Sequence, residues 1–289
     1  MIDFDMIKNP NKFISKKGAV KNGYKLEDKE EFKIVRDTLV KLGLSTKNFD
    51  YNLSKLIINN ANNNNTYSAY NNEINWPTLE EDRIHELFHM ASNNFEEASN
   101  NISGLEQEDK TGKFGMSINK GVTDYLTKEA KKDYRFKYPV EAKYVSFLTD
   151  MYGNKVLEPY ALCEPNMFYA SFGPNQLLVR DFVRELDSFN DLSYRFYRTF
   201  EANNIKSMRL ASEVTDSFIK SFLNFYDLVA MNEGDIKKYM ADMKTTLNTH
   251  DNIICDFIRI AFSYSGFGDP ERVFNSIVEE IDKKEGLGL

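Results

Sequence analysis

The sequence has few cysteines and few histidines: its 289 residues include two cysteines and three histidines. Cys163 and Cys255 lie far apart without a Cys-x-x-Cys spacing, so neither a disulfide scaffold nor a cysteine-rich zinc module is expected. Both thiols are predicted to be small buried side chains, as free cysteines usually are.

Long apolar segments are also missing. No stretch approaches the roughly 20 apolar residues that a membrane-spanning helix needs. The first eight residues contain an early acid and no sustained apolar run, which is not the pattern of a secretory signal. We therefore expect a soluble, cytoplasmic protein with no membrane partner.

There is no excess of basic residues, since 37 lysines and arginines stand against 44 acids and the net charge is −7. A nucleic-acid-binding surface would need a basic face, so this balance argues against a nucleic-acid partner. By contrast, 42% of the residues are hydrophobic and 13% are aromatic, which is enough for a substantial core.

The pattern of apolar residues predicts an α+β protein that is mostly helical. Leu26 to Leu42 has helical spacing and ends before Gly43, which predicts the first helix. Short β-prone stretches flank an asparagine run at 59–65 and suggest a hairpin. The same run is equally typical of a flexible low-complexity loop, so both interpretations stay open.

Three further helices are predicted in the first half of the chain. Thr78 and Glu81 have the spacing of a capping box, which predicts a helix over 78–99. Gly104, Gly112 and Gly115 then punctuate a loop long enough to suggest a functional role. Apolar residues at i, i+4 spacing predict the next helix over 118–133, and a third is expected at about 139–152.

Beyond residue 173 the pattern becomes almost wholly helical. The Gly173-Pro174-Asn175 turn is the best candidate for a boundary, which divides the chain into a site-bearing region, 1–173, and a helical C-terminal region, 174–289. The segments after it carry phenylalanine-rich stripes, which are typical of core packing. No internal repeat of fixed period is present.

His85, Glu86 and His89 form a His-Glu-x-x-His motif on the helix predicted over 78–99. Residues four apart share a helix face, so both imidazoles can point at one ion about 2 Å from each ring nitrogen. The glutamate then lies beside the ion, where it can take a proton from a metal-bound water and pass it to a leaving amine. The motif therefore predicts a zinc site with Glu86 as general base.

The segment His85-Glu-Leu-Phe-His-Met-Ala-Ser, followed by Ile118-Asn-Lys-Gly-Val-Thr-Asp-Tyr-Leu-Thr, resembles the gluzincin group of zinc metallopeptidases. The resemblance covers about residues 78–160 and implies a zincin-like core, a Zn²⁺ ion and hydrolysis of a peptide or protein substrate. In that group a glutamate of the second helix is the third zinc ligand. An acid four positions later usually supports a ligand histidine.

The chain departs from this pattern at the third ligand. Lys120 occupies the position of the glutamate, and a protonated lysine cannot bind zinc. Asp124 stands in the place of the supporting acid and could move to direct ligation, so His85, His89 and Asp124 are the predicted metal ligands. Three other acids could instead complete the site: Glu96, Glu97 and Glu141. His250 could be a ligand or, as in thermolysin-like enzymes, a hydrogen-bond donor to the transition state.

Lys120 also raises the alternative of a catalytically degenerate protein. It could pair with Asp124 one turn away and leave a two-histidine site that binds metal weakly, in a zincin-fold binding or regulatory module. A helical interaction protein with a chance motif is a third hypothesis. Phenolic groups that could stabilise an oxyanion are present, although core packing is the commoner role of such residues: Tyr125, Tyr160 and Tyr169.

Overall fold

The computed structural model describes residues 24–59, 66–95, 103–110, 112–200, 205–232, 234–249 and 252–286. It is 71% helical and has two small sheets, which confirms the mostly helical α+β class. None of the helices within these ranges is long and apolar enough to cross a membrane.

The first predicted helix is interrupted near its start. A 3₁₀ turn covers Leu26–Asp28, and helix α1 covers Glu30–Lys41. Lys29 between them has an extended backbone, with φ −145° and ψ 143°. The predicted apolar face of α1 is buried, and a short helix α2, Lys47–Leu53, follows it.

The first sheet contains β1, Ile57–Asn59, β2, Tyr67–Ser68, and β3, Glu73–Asn75. Strand β3 lies in the middle, parallel to β1 and antiparallel to β2. The hairpin predicted across the asparagine run is therefore wrong, because β2 pairs with β3 through a tight turn in which Asn72 has a φ of 51°. Positions 60–65 of the run lie outside the described residues.

Helix α3, Glu80–Ala91, carries the His-Glu-x-x-His motif. The predicted capping box at Thr78 is wrong, because Leu79 is the N-cap and no side chain caps the helix. Arg83 instead donates hydrogen bonds to the carbonyls of Pro77 and Thr78. The helix also ends well before residue 99. At its observed end, Asn52 Nδ2 donates to the Met90 carbonyl at 2.8 Å.

The glycine-punctuated loop contains a small hairpin, β4, Gln107–Asp109, and β5, Gly112–Phe114, that the sequence pattern did not predict. Helix α4, Met116–Ala130, follows directly, and helix α5, Pro139–Tyr152, has the predicted bounds. Gly115 precedes α4 with a φ of 89°. A Cβ there would lie 2.5 Å from the Leu105 carbonyl oxygen, so both conformation and space favour glycine.

The remaining helices are α6, Glu158–Leu162, α7, Pro165–Ala170, α8, Gln176–Phe200, α9, Ile205–Ala230, α10, Ile236–Leu247, α11, Ile253–Tyr264, and α12, Pro270–Gly286. One buried apolar core runs through both halves of the chain. Tyr144 on α5, for example, contacts the rings of Phe182 and Phe225 across the predicted boundary. The division at residue 173 stays a prediction.

Candidate metal centre

Helices α3 and α4 lie side by side in opposite directions and form the two walls of the site. Glu80, at the start of α3, accepts a hydrogen bond from Lys131, just past the end of α4, at 2.6 Å. Farther along, His85 lies opposite Asp124. The i, i+4 spacing on each helix therefore aligns two rows of polar side chains along one interface.

His85 is 2% exposed and is held through one ring nitrogen. Its Nδ1 lies 3.1 Å from Asp124 Oδ1 and 3.2 Å from the Tyr134 hydroxyl, which itself donates to Asp124 Oδ1 at 2.6 Å. The backbone N–H of Tyr138 donates to Asp124 Oδ2 at 2.5 Å. These contacts leave Nε2 as the nitrogen of His85 that can face an ion.

Both oxygens of the fully buried Asp124 are thus occupied by protein groups. The carboxylate lies behind His85, where it can fix the tautomer and orientation of the imidazole. This position is the one that the resemblance gives to an acid supporting a histidine. Direct ligation by Asp124 stays a prediction.

His89 is also held through Nδ1, which lies 3.4 Å from Thr123 Oγ1. That hydroxyl is 2.7 Å from the Tyr160 hydroxyl, and Tyr160 in turn donates to the Phe88 carbonyl at 3.0 Å. Burial lowers the pKa of His89 well below its ordinary value, and the charges of His85, Lys137 and Lys120 lower it further. The imidazole is therefore neutral at physiological pH, which is the form that binds metal.

The two histidine rings are close enough to share one ion. Their centroids are 4.9 Å apart, and their planes are inclined by 79°. A zinc ion lies about 2 Å from a ligating nitrogen and hence roughly 3 Å from the ring centre. One position can satisfy both distances, so the spacing of the two ring centres is compatible with one shared ion.

Glu86 is 6% exposed and points towards the sheet. Its Oε2 accepts a hydrogen bond of 2.8 Å from the backbone N–H of Tyr67, on edge strand β2. Burial raises the pKa of Glu86 above its ordinary value, although the charges of His85 and Lys137 and the Tyr67 N–H oppose that rise. A carboxyl with a raised pKa is suited to exchanging protons near neutral pH.

Lys120 lies at the edge of the site, and its Nζ is 4.9 Å from the centre of the Tyr138 ring. Tyr138 in turn stacks on His85, with centroids 6.5 Å apart and planes inclined by 26°. Burial lowers the pKa of Lys120, and the charges of Glu141 and other acids oppose that effect. The ion pair between Lys120 and Asp124 that a degenerate site could contain is not formed, and the Asp124 oxygens bind other groups.

The third metal ligand is not identified. Within the described ranges, no group of three His, Cys, Asp or Glu side chains is arranged to hold an ion. Glu141 is buried, accepts a hydrogen bond from Asn190 and does not join the histidine pair. Three more residues that could complete the site lie outside the described ranges: Glu96, Glu97 and His250.

Of the three tyrosines named as possible oxyanion donors, with core packing as the commoner role, only Tyr160 joins this network. Tyr125 is partly buried against the core, and Tyr169 packs on Phe114. The sequence pattern did not single out three residues that contact the site's histidines or Asp124: Tyr134, Thr123 and Tyr138. Thr123 immediately precedes Asp124 on the predicted helix, and this position could have identified it as a residue of the site. The loop tyrosines, by contrast, are brought to the site only by the fold.

Comparison of the chain with protein-family models, with curated proteins and with solved structures finds no match.

Proposed function

We propose that this protein is a zinc-dependent peptidase in which His85 and His89 bind the ion and Glu86 is the general base. The observation that carries the proposal is the way in which the two imidazoles are held. Each has a protein group at Nδ1, 3.1 Å away for His85 and 3.4 Å away for His89. Outer partners of this kind are what metal-ligating histidines have, and they leave both Nε2 atoms for one ion.

The roles of the residues follow from their contacts. A zinc ion bound here would lower the pKa of a coordinated water and polarise a scissile carbonyl. Glu86 accepts a proton from the attacking water and returns it to the leaving amine, and the Tyr67 N–H keeps its carboxylate in place. Asp124 and Tyr134 orient His85. The zincin-like core and the peptide or protein substrate rest on the resemblance of the motifs.

Glu86→Gln tests the proposal. The amide keeps the size of the side chain and its acceptor for Tyr67, but it cannot take a proton. General acid–base groups contribute about 10²- to 10⁴-fold, so we expect the hydrolysis of peptide mixtures by zinc-loaded protein to fall by that factor. Bound zinc should be retained.

Glu81→Gln is the matched control, since it makes the same change five residues earlier on the same helix. This control should hydrolyse peptides like the native protein. Equal hydrolysis by native protein and Glu86→Gln would exclude Glu86 as the base.

A second candidate is a zincin-fold binding or regulatory module without catalysis. It is favoured by Lys120, whose charge reaches His89 and would repel an ion, and by the missing third ligand within the described ranges. The two candidates differ in one result. The module would bind zinc or peptides without hydrolysing them, whereas the enzyme would lose hydrolysis on substitution of Glu86.

A further inference from the structure

Lys120 is a charged residue of the site that the proposed peptidase mechanism does not use. We infer that the Lys120 ammonium binds the free C-terminal carboxylate of the peptide substrate, so that the enzyme removes residues from the carboxyl end of a chain. The assignment of a reaction rests on the proposed function, whereas the binding of a carboxylate does not.

The position of Lys120 follows from the packing of α3 on α4. It lies one turn before Asp124 on the same face of α4, and three residues before Thr123. Because Asp124 contacts His85 and Thr123 contacts His89, Lys120 lies towards the His89 end of the pair. The charge of Lys120 is close enough to help lower the pKa of His89.

The Lys120 ammonium contacts an aromatic ring rather than an acidic side chain. Its Nζ lies 4.9 Å from the centre of the Tyr138 ring, a distance typical of a cation–π contact. Among the described residues it has neither a hydrogen-bond acceptor nor an ion-pair partner within 4 Å. The side chain is half-buried, so part of it stays accessible to a ligand.

The other lysine beside the site differs in this respect. Lys137 Nζ lies 2.9 Å from Asp82 and forms an ion pair with it. Three acids act on Lys120 from beyond ion-pair distance, namely Glu141, Asp187 and Glu106. Burial raises the pKa of both Glu106 and Glu141 to about 7, so near neutral pH a fraction of these groups is protonated and cancels less of the lysine charge.

Electrostatics then selects the ligand. A fixed cation beside two imidazoles that bind a divalent ion is unfavourable unless an anion lies between the charges. A terminal carboxylate provides that anion and accepts charge-assisted hydrogen bonds from an ammonium. The last peptide bond of a chain lies within about one residue, roughly 3.8 Å, of that carboxylate, which suits the proximity of Lys120 and His89.

The test uses randomised hexapeptide mixtures of identical composition, with either a free C-terminal acid or a C-terminal amide. Binding to zinc-loaded Glu86→Gln protein is measured, together with cleavage by the native enzyme. A charge-assisted contact of about 1.4 kcal/mol corresponds to a tenfold preference, so we expect the free acids to bind about tenfold more tightly than the amides.

Lys120→Met should reduce that preference to near unity, and Lys120→Arg should keep most of it. Lys132→Met is the matched control, since Lys132 is an exposed lysine just past α4 that pairs with Glu129, and it should keep the full preference. Equal binding of acids and amides by the parent protein, a full preference in Lys120→Met, or no binding of either mixture would overturn the inference. A Lys120-dependent preference for acids in a protein that never cleaves them would support the binding site and contradict the proposed peptidase.

Discussion

At the scale of single residues, Asp124 has the most demanding environment in the site. It is fully buried and receives hydrogen bonds from the Tyr134 hydroxyl and the Tyr138 amide while contacting His85. A buried carboxylate is stable only when it is paired and hydrogen-bonded, and these contacts satisfy both oxygens. Its charge can therefore be used to hold one imidazole in the tautomer that binds metal.

Asp124→Asn tests this role. Asparagine offers one acceptor instead of two and carries no charge, so His85 should lose its fixed tautomer. Loss of such an outer partner typically costs roughly 10- to 100-fold in metal affinity, and we expect that decrease in a zinc competition titration. Asp133→Asn, an exposed acid beyond the end of α4, is the control. An unchanged affinity would show that Asp124 does not support His85, whereas a much larger loss would indicate direct ligation.

At the scale of elements, the close approach of α4 and α5 positions the site. A Cβ at Gly121 would lie 2.6 Å from the carbonyl oxygen of Glu141, so only glycine allows the backbones to be this close. That contact brings the start of α5 beside Asp124, where the Tyr138 amide binds the carboxylate. The helix pairing therefore fixes a hydrogen bond in the site.

Gly121→Ala should separate these two helices. The clashing atom is backbone, so relief requires movement of a helix, and overpacking of this kind costs about 1–3 kcal/mol. We expect that loss in the free energy of unfolding by denaturant. Gly286→Ala is the control, because a Cβ at Gly286 on α12 meets nothing within 4 Å. Equal stability of the two variants would contradict the close packing.

Helical periodicity predicted most helices of this fold, and residue spacing alone brought His85 and His89 onto one face of α3, with Glu86 beside them. The errors occur where tertiary contacts decide. The β1–β2 hairpin is replaced by a β2–β3 pair, and Arg83 rather than Thr78 provides the side-chain contacts at the start of α3. The support of His85 by Tyr134 depends on a loop conformation, which periodicity does not describe.

At the scale of the whole molecule, the packing of the two halves buries ionisable groups between them. Glu141 on α5 is 4% exposed and accepts a hydrogen bond from Asn190 on α8. Burial raises its pKa from 4.5 to about 7. The sequence singled out this acid only as a possible metal ligand, and its burial follows from the contact of α5 with the C-terminal helices.

The raised pKa predicts a loss of stability with rising pH. Between about 4.5 and 7 the folded protein holds a proton on Glu141 that the unfolded chain has released, so unfolding becomes easier as pH increases. The contribution reaches roughly 3 kcal/mol above pH 7. Glu141→Gln removes this titration and keeps an acceptor for Asn190. We measure the free energy of unfolding of both proteins by denaturant at pH 5 and pH 8. The difference, variant minus native, should be larger at pH 8 than at pH 5. A pH-independent difference would contradict the burial of a titrating acid.

The central claim is that His85 and His89 bind one zinc ion. The most direct test is a zinc titration of the metal-free protein against a chromophoric chelator, with His89→Ala alongside. We expect one zinc per native chain, and a loss of affinity in the variant that exceeds the roughly 10- to 100-fold effect of an outer partner. Less than one zinc per chain after full reconstitution, or equal affinity in the native protein and the variant, would contradict the claim.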